Sequence, residues 1–230
     1  RAMPEVLLRV RAVQKMREVS EKLATRQKAA TPTWFTEDRQ PIDGNYLAIP
    51  RTSSENRRYL PLGYLPATVV AANDLQLIPN ASLYEFGVLS SLMHRAWVDV
   101  TAGRLKSDIR YSVKLTYNTF PWPGFTGEPL SDKHRTAIEQ AAQCVLDARS
   151  QFASSSLADL YDPLTMPPAL LKAHQKLDTA VDAAYQPSGG KKSYASDAER
   201  VAFLFDLYQR ITSLLPVPGA KKTRKSKESY

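Results

Sequence analysis

Arg104-Leu105-Lys106-Ser107-Asp108-Ile109-Arg110-Tyr111 alternates charged and apolar side chains with a period close to two. Read as one extended strand, it puts Arg104, Lys106, Asp108 and Arg110 on one face and Leu105, Ile109 and Tyr111 on the other. One face can then bury while the other offers a row of fork-shaped donors with one acceptor among them. Such a row suits phosphates and base edges: Arg or Lys matches guanine O6 and N7, and a carboxylate matches the cytosine amino group. Lys106 and Asp108, two residues apart, match the two halves of one G·C pair. A solvated strand face with cross-strand ion pairs has the same pattern, and on spacing alone it is the favoured reading.

Upstream of this row, Ser82-x-x-Glu85 has the form of a capping box. Leu83, Phe86, Leu89, Met93, Trp97 and Val100 then make an apolar stripe that ends at Gly103, which predicts a helix leading back to a sheet. Residues 31–79 read instead as short β-like runs: Tyr46 to Ile49 after the Asp43-Gly44-Asn45 turn, Tyr59 to Leu65, Thr68 to Ala71, and Leu75 to Ile78. Pro50, Pro61, Pro66 and Pro79 suit strand ends and edges. A small, strongly bent mixed sheet is expected. Downstream, Tyr117-Asn118-Thr119-Phe120-Pro121-Trp122-Pro123 cannot continue regular structure and is expected to wedge one domain against another.

The first thirty residues read as one long helix, with Val6, Leu7, Val10, Val13, Met16 or Arg17, and Leu23 at helical spacing and Arg9, Arg11, Lys15, Lys22, Arg26 and Lys28 outside. A phosphate-binding basic face and a merely solvated one stand equal there. The chain opens at Arg1 without an initiator Met, and it is expected to be a piece of something longer. Beyond Gly124 three amphipathic helices are expected, starting near Ser131, after Pro168, and at the Ser196-x-x-Glu199 cap. The fold class is therefore α+β: an N-terminal helix and a small bent mixed sheet with a packed helix, followed by an antiparallel three-helix bundle. The expected divisions are a connector helix (1–30), a recognition domain (31–123), a helical domain (124–216) and a disordered basic tail (217–230).

Composition narrows the function classes. The 230 residues carry a formal charge of +8 with 43% hydrophobic residues, which describes a folded basic protein with an anionic partner. The single Cys144 excludes an internal disulfide, so a reducing, cytoplasmic setting is expected. No apolar run reaches membrane length. His94, His134 and His174 with one Cys do not make a usual zinc site, and no metal site is expected. There is no Walker loop and no Gly-x-Gly-x-x-Gly fingerprint. Thr165-Met166-Pro167-Pro168-Ala169 lacks the preceding Asn, Asp or Ser and the following aromatic of an amino-methyltransferase motif, and reads as a turn. No catalytic residue is assigned.

Several segments together carry a family likeness: Ala48 to Tyr59, Gly103 to Ser112, Tyr117 to Pro123, Ala158 to Pro168, and Asp178 to Tyr185. In this order they resemble the carboxy-terminal part of single-chain type IIL (Mme-type) restriction–modification enzymes and related bacterial DNA adenine methyltransferases. The resemblance covers nearly the whole chain apart from the basic tail. It implies a target recognition domain followed by a terminal helical domain. The nuclease, the helical spacer and the adenine-N6 methyltransferase with its S-adenosylmethionine pocket would lie upstream, so no cofactor is expected in this chain. It also implies base-reading positions at Arg51, Asn73, Asp74, Lys106, Asp108 and Arg110.

Three readings follow. The leading one is sequence-specific recognition of double-stranded DNA in the major groove, with Arg57, Arg58, Arg104 and Lys114 on the phosphate backbone. The expected partners are duplex DNA and the upstream methyltransferase domain of the same polypeptide, with no membrane. The second is a helical protein-interaction module that docks on a methyltransferase or a partner subunit. Steep loss of binding with salt would separate the first from the second. The third is a free-standing enzyme with an unrecognised site.

Overall fold

Residues 3–35, 39–125 and 129–213 are described by the computed structural model; the expected basic tail (217–230) lies outside them. The chain divides into two units, 1–40 and 41–230.

In the first unit, helix α1 (Pro4–Glu18) begins at a proline, which fits the first helical turn because its missing N–H has no helical partner there. It does not run on to residue 30 as expected. The chain turns at Ser20 and makes one short helix, α2 (Leu23–Arg26). Two arginines account for the break by taking carbonyls from non-helical backbone. Arg26 Nη1 donates to the Ser20 and Glu21 carbonyls at 2.7 and 2.9 Å. Arg17, buried where the periodicity had placed it, donates from Nη1 to Lys28 and Thr31 and from Nη2 to Trp34. The expected apolar stripe is not core: Val6, Leu7, Met16 and Leu23 are all exposed.

In the second unit the expected mixed sheet is replaced by two three-stranded antiparallel sheets. The first has the order β3 (Gly63–Pro66), β1 (Asn45–Pro50), β4 (Leu75–Pro79); the second has β2 (Thr52–Ser53), β6 (Asp108–Arg110), β5 (Gly103–Leu105). The chain changes sheets at Arg51. Its N–H donates to the Asp74 carbonyl at 2.9 Å, prolonging the β1–β4 ladder. Its carbonyl accepts from Tyr111 N–H at 2.8 Å, opening the β2–β6 ladder. One residue thus belongs to both ladders, and the sheet bends by splitting there.

The Ser82 capping box forms as read: Ser82 accepts from the first-turn backbone and Glu85 accepts from Ser82 N–H at 2.7 Å. The helix stops earlier than its apolar stripe. Helix α3 (Leu83–Leu89) ends at Ser90, and Ser91 caps a new helix, α4 (Leu92–Thr101), accepting from His94 N–H while donating to the Val88 carbonyl at 2.7 Å. A serine side chain competes for backbone partners in this way, and the Ser91 cap divides the helix.

Helices α5 (Asp132–Ser150) and α7 (Pro168–Ala184) lie together, joined by a segment that includes the short helix α6 (Leu157–Leu160), and α3 is their third neighbour. Helix α8 (Asp197–Thr212) is placed chiefly on α4, where Phe205 and Tyr208 meet the Trp97 ring at centroid distances of 5.1 and 5.8 Å. The three expected helices are present, but the bundle they were expected to form alone takes in α3 and α4. One hydrophobic core follows, running from Leu47 and Phe86 through Trp97, Ile138 and Leu177 to Leu204. The aromatic segment packs on α3 and α4, with Phe120 edge-on to His94 at 4.6 Å and Trp122 against Tyr84, and the Pro121 carbonyl accepts from the Tyr185 hydroxyl at 2.9 Å.

At Gly87 helix α3 lies tight against α5. A Cβ there would lie 2.7 Å from Ile138 Cγ2 and 3.2 Å from Ala142 Cβ, both fully buried. Gly87→Ala gains helix propensity of about 1 kcal/mol but overpacks at a cost of about 1–3 kcal/mol. A lower urea midpoint is expected, and a higher one would show that the helices part freely.

Candidate nucleic-acid interface

The decisive octapeptide is not one strand. Gly103 pairs with Arg110, Arg104 with Ile109, and Leu105 with Asp108, leaving Lys106 and Ser107 as a two-residue hairpin turn. Directly opposed residues in an antiparallel pair share a face, and so do alternate residues of one strand. Thr52, Leu105, Asp108 and Arg110 therefore lie on one face of this small sheet, and Ser53, Arg104 and Ile109 on the other. Ser53 and Ile109 are buried, which fixes the second face as the inner one.

This arrangement corrects the alternation. Asp108 and Arg110 keep the outer face, and Ile109 and Tyr111 bury as expected. Leu105, expected inside, is 48% exposed beside Asp108. Arg104 leaves the row altogether: its Nη2 lies 3.1 Å from the Asp99 carbonyl and 3.6 Å from the Asp99 carboxylate on α4. Lys106 belongs to neither strand and projects from the tip.

Lys106 holds φ at +57°. In a two-residue hairpin this backbone matches the strand twist, and glycine is its usual occupant because a Cβ crowds the carbonyl. Lys106→Gly is expected to raise stability by about 1 kcal/mol through relief of that crowding. If stability falls instead, the lysine is held by a structural contact.

Arg51 adjoins this hairpin at the change of sheets, with Asp74 bonded to it on the other side. Arg51 is tied by its backbone to Asp74 on one side and to Tyr111, next to Arg110, on the other, and Thr52 lies opposite Arg110. Arg51, Asn73 and Asp74 are all exposed. With the Gln76 amide oxygen turned toward it, the Arg51 guanidinium donates from Nε and Nη2 at 3.2 and 3.3 Å, which fixes the fork from behind. Arg51, Asp74, Asp108 and Arg110, distant in sequence, thus gather around one junction. Lys106 stands at the hairpin tip, and Asn73 on the turn before β4.

The expected backbone contacts separate into two groups. Arg57 and Arg58 stand on the loop before Tyr59, and that loop is held by Arg95, which donates to the Arg57 and Glu55 carbonyls at 3.2 and 3.0 Å and also pairs with Asp99. Asp99 faces Arg104 as well, so the loop, α4 and the 103–110 hairpin are linked through one carboxylate. Lys114 lies apart, exposed on a single widened turn, Val113–Tyr117, capped by Ser112. Sequence reasoning passed over Leu105, Thr52 and Gln76. Gln76 follows from the β4 alternation, but the other two needed the hairpin register.

Beneath this surface a buried polar network joins the sheets to the helices. Asp178 on α7 accepts from the Tyr59 hydroxyl and from Leu92 N–H, both at 2.7 Å. Burial pushes its carboxyl up to about 6. The His174 ring stacks on Tyr59 at 4.1 Å, and its Nε2 lies 2.7 Å from the Tyr161 hydroxyl. Arg149 donates to that hydroxyl and, from Nη1, to the Leu62 carbonyl at 2.8 Å. Burial, then the Arg149 charge, holds His174 down at about 3, and burial alone brings His94 to about 3. Among the described residues no three His, Cys, Asp or Glu side chains come together as a metal site, and no helix is long and apolar enough to cross a membrane.

Comparison with known proteins gives two family matches: the MmeI target recognition domain over residues 1–124 and the MmeI C-terminal domain over residues 130–216. The chain is 40% identical over 209 residues to DNA methyltransferase A of Bacillus subtilis (strain 168), matching 91% of this chain and 22% of that protein. The solved structure of the type IIL restriction-modification enzyme MmeI in complex with DNA is similar with a TM-score of 0.80 and 48% identity. That match covers 92% of this chain and 27% of the MmeI chain. The chain therefore spans about a quarter or less of the length of either relative.

Proposed function

On the premise that this chain belongs to the MmeI family and carries its target recognition and C-terminal domains, we propose that it is the DNA-specificity module of a larger bacterial restriction–modification enzyme. Duplex DNA is its partner, read in the major groove. The methyltransferase domain, with its S-adenosylmethionine, precedes it in the same polypeptide. Catalysis belongs to that domain.

The observation that carries the reading is the junction at Arg51, where two sheets deliver mixed donors and acceptors to one exposed surface. Arg51, Asn73, Asp74, Lys106, Asp108 and Arg110 read base edges there. Arg and Lys offer donors to guanine, Asp accepts from the cytosine amino group, and Asn serves adenine. Leu105, exposed beside Asp108, adds an apolar contact of the kind that suits the thymine methyl. Arg57, Arg58, Arg104 and Lys114 supply charge along the backbone and fix register without sequence information.

The test is selection from a randomised duplex pool at low salt, followed by sequencing. An enriched motif is expected, and Arg51→Ala is expected to relax one position of it at a cost of about 1–3 kcal/mol. Exchanging the charges, Lys106→Asp with Asp108→Lys, is expected to change the preferred base pair at another position. The turn accommodates the exchange, because Asp tolerates positive φ better than most residues. Uniform weakening across all sequences would remove these residues from base reading.

A further inference from the structure

A cavity of about 400 Å³ opens between the loop at residues 55–58, helix α4 and the start of α8, with Arg57, Arg58, Arg95 and Arg200 in its wall. Two of these arginines are buried and already engaged. Arg95 holds the loop as described, and Arg200 pairs with Asp182 at 3.0 Å and Asp197 at 3.2 Å while lying over the Tyr194 ring. The other two have charge to spare. Arg57 Nε is buried with no acceptor, an unfavourable state for a cationic donor. Arg58 is exposed at the rim, near the Tyr59 ring.

The carboxylates lining the cavity are Glu55, Asp99 and Asp197. Asp99 is held between Arg95 and Arg104, and Arg200 serves both Asp182 and Asp197, so Glu55 and part of the Asp197 charge oppose Arg57 and Arg58. Helix α8 also begins here, with Ser196 as its cap and Asp197 in its first turn. The N-terminal end of a sixteen-residue helix adds partial positive charge and free backbone donors.

We propose that this cavity is a phosphate site. A phosphate group brings several acceptor oxygens at once: the Arg57 fork takes two, Arg58 reaches a third from the rim, and the first turn of α8 serves the remainder. The shared ligand chemistry is a phosphate monoanion or dianion, and its source is the backbone of the duplex, a step that rests on the DNA-recognition reading above. Arg104, at the base of the reading hairpin, shares Asp99 with Arg95 in the cavity wall. A phosphate seated here is therefore mechanically tied to the hairpin and sets its register on the duplex.

Two measurements on the whole chain test the site: thermal stability against inorganic pyrophosphate, and the salt dependence of binding to the selected duplex. Wild type is compared with the double variant Arg57→Ala/Arg58→Ala and with Lys172→Ala/Lys176→Ala, an equal loss of charge on the exposed side of α7. Pyrophosphate is expected to raise the melting temperature of wild type and of the α7 variant, but not of the arginine variant. The slope of log affinity against log salt is expected to be shallower by about 0.9 in the arginine variant, with the selected motif unchanged. Should the double variant not fold, Arg58→Ala, at an exposed position, carries both measurements. A pyrophosphate effect without a slope change assigns the cavity to a free phosphate compound and overturns the duplex source. Identical behaviour of wild type and arginine variant in both measurements overturns the site. Failure of wild type to select any sequence counts against the DNA reading, while the pyrophosphate measurement still decides the site.

Discussion

Between pH 7 and about pH 4 the chain is expected to lose about 3–4 kcal/mol of folding stability, through two buried histidines partly offset by two buried aspartates. His94 and His174 are each held at about 3, against an ordinary value of 6.5. Both stay neutral in the fold while the unfolded chain takes up protons as pH falls through 6.5. Their stability is thus complete above that pH and is lost on the way down to about 3. Asp178 works in the opposite direction: its folded value of about 6 lies above the ordinary 3.8, so the folded chain is protonated first and gains between 6 and 3.8. Burial raises Asp182 as well and adds to that offset. Two imidazoles with the larger shifts outweigh the carboxyls. The loss is a large fraction of the stability of an ordinary domain, so a clear fall in the urea midpoint toward pH 4.5 follows.

The physical cause is specific. A proton on His174 puts a second cation against Arg149 in a space closed by Tyr59 and Tyr161, and a proton on His94 has only the Tyr111 hydroxyl, 3.1 Å from its Nε2, to receive it. Urea midpoints at pH 7, 5.5 and 4.5 check the expectation. A midpoint constant over that range would mean that the imidazoles reach water before the fold opens. His94→Phe is expected to lower stability at pH 7 and to flatten the acid limb by about half.

Asp178→Ala is expected to destabilise the fold by about 3 kcal/mol, since it leaves two buried donors without acceptors at about 1–3 kcal/mol each and recovers part of the cost of burying a charge. The Tyr59 hydroxyl belongs to the sheet side of the molecule, and the Leu92 amide belongs to the restart of the helix at α4; one carboxylate on α7 serves both. The melting temperature should fall by roughly 10 °C for a chain of this size. Asp178→Asn keeps one acceptor and discards the charge, so its loss should be about 1 kcal/mol. An Ala variant no worse than the Asn variant would show that water replaces the lost acceptor. Because Asp178 joins recognition sheets to helices, duplex selection by the Ala variant should also lose sharpness at the positions nearest Arg51.

How much was legible in the sequence depends on the range of the interaction that decides each feature. The Ser82 box, Pro4 and the helices beyond Ser131 are decided within one or two turns of chain. All are present in the structure. The apolar stripe over residues 83–101 is continuous and predicts one helix, whereas Ser91 divides it by taking backbone partners. The long N-terminal helix failed for a similar reason, with Arg17 and Arg26 drawing carbonyls from turns that periodicity does not register.

The reading row itself was misread through a turn. Lys106-Ser107 carries none of the Asn-Gly, Asp-Gly or Gly-x signals that mark a two-residue hairpin, so an alternation interrupted by a reversal passed for one strand. That single reversal moved Arg104 to the inner face and Leu105 to the outer one. By itself the sequence determined the fold class, the charge of the surface, the family likeness and which residue types are available for base reading, because local backbone preference and composition carry those. Only the tertiary structure decided that Arg51 joins two sheets, with Asp74 on one side and the strand of Arg110 on the other, and that arginines from three distant segments line one cavity. Those outcomes depend on which strands pair and in what register, and that is fixed by burial of Ile109, Ser53 and the shared core across long stretches of chain.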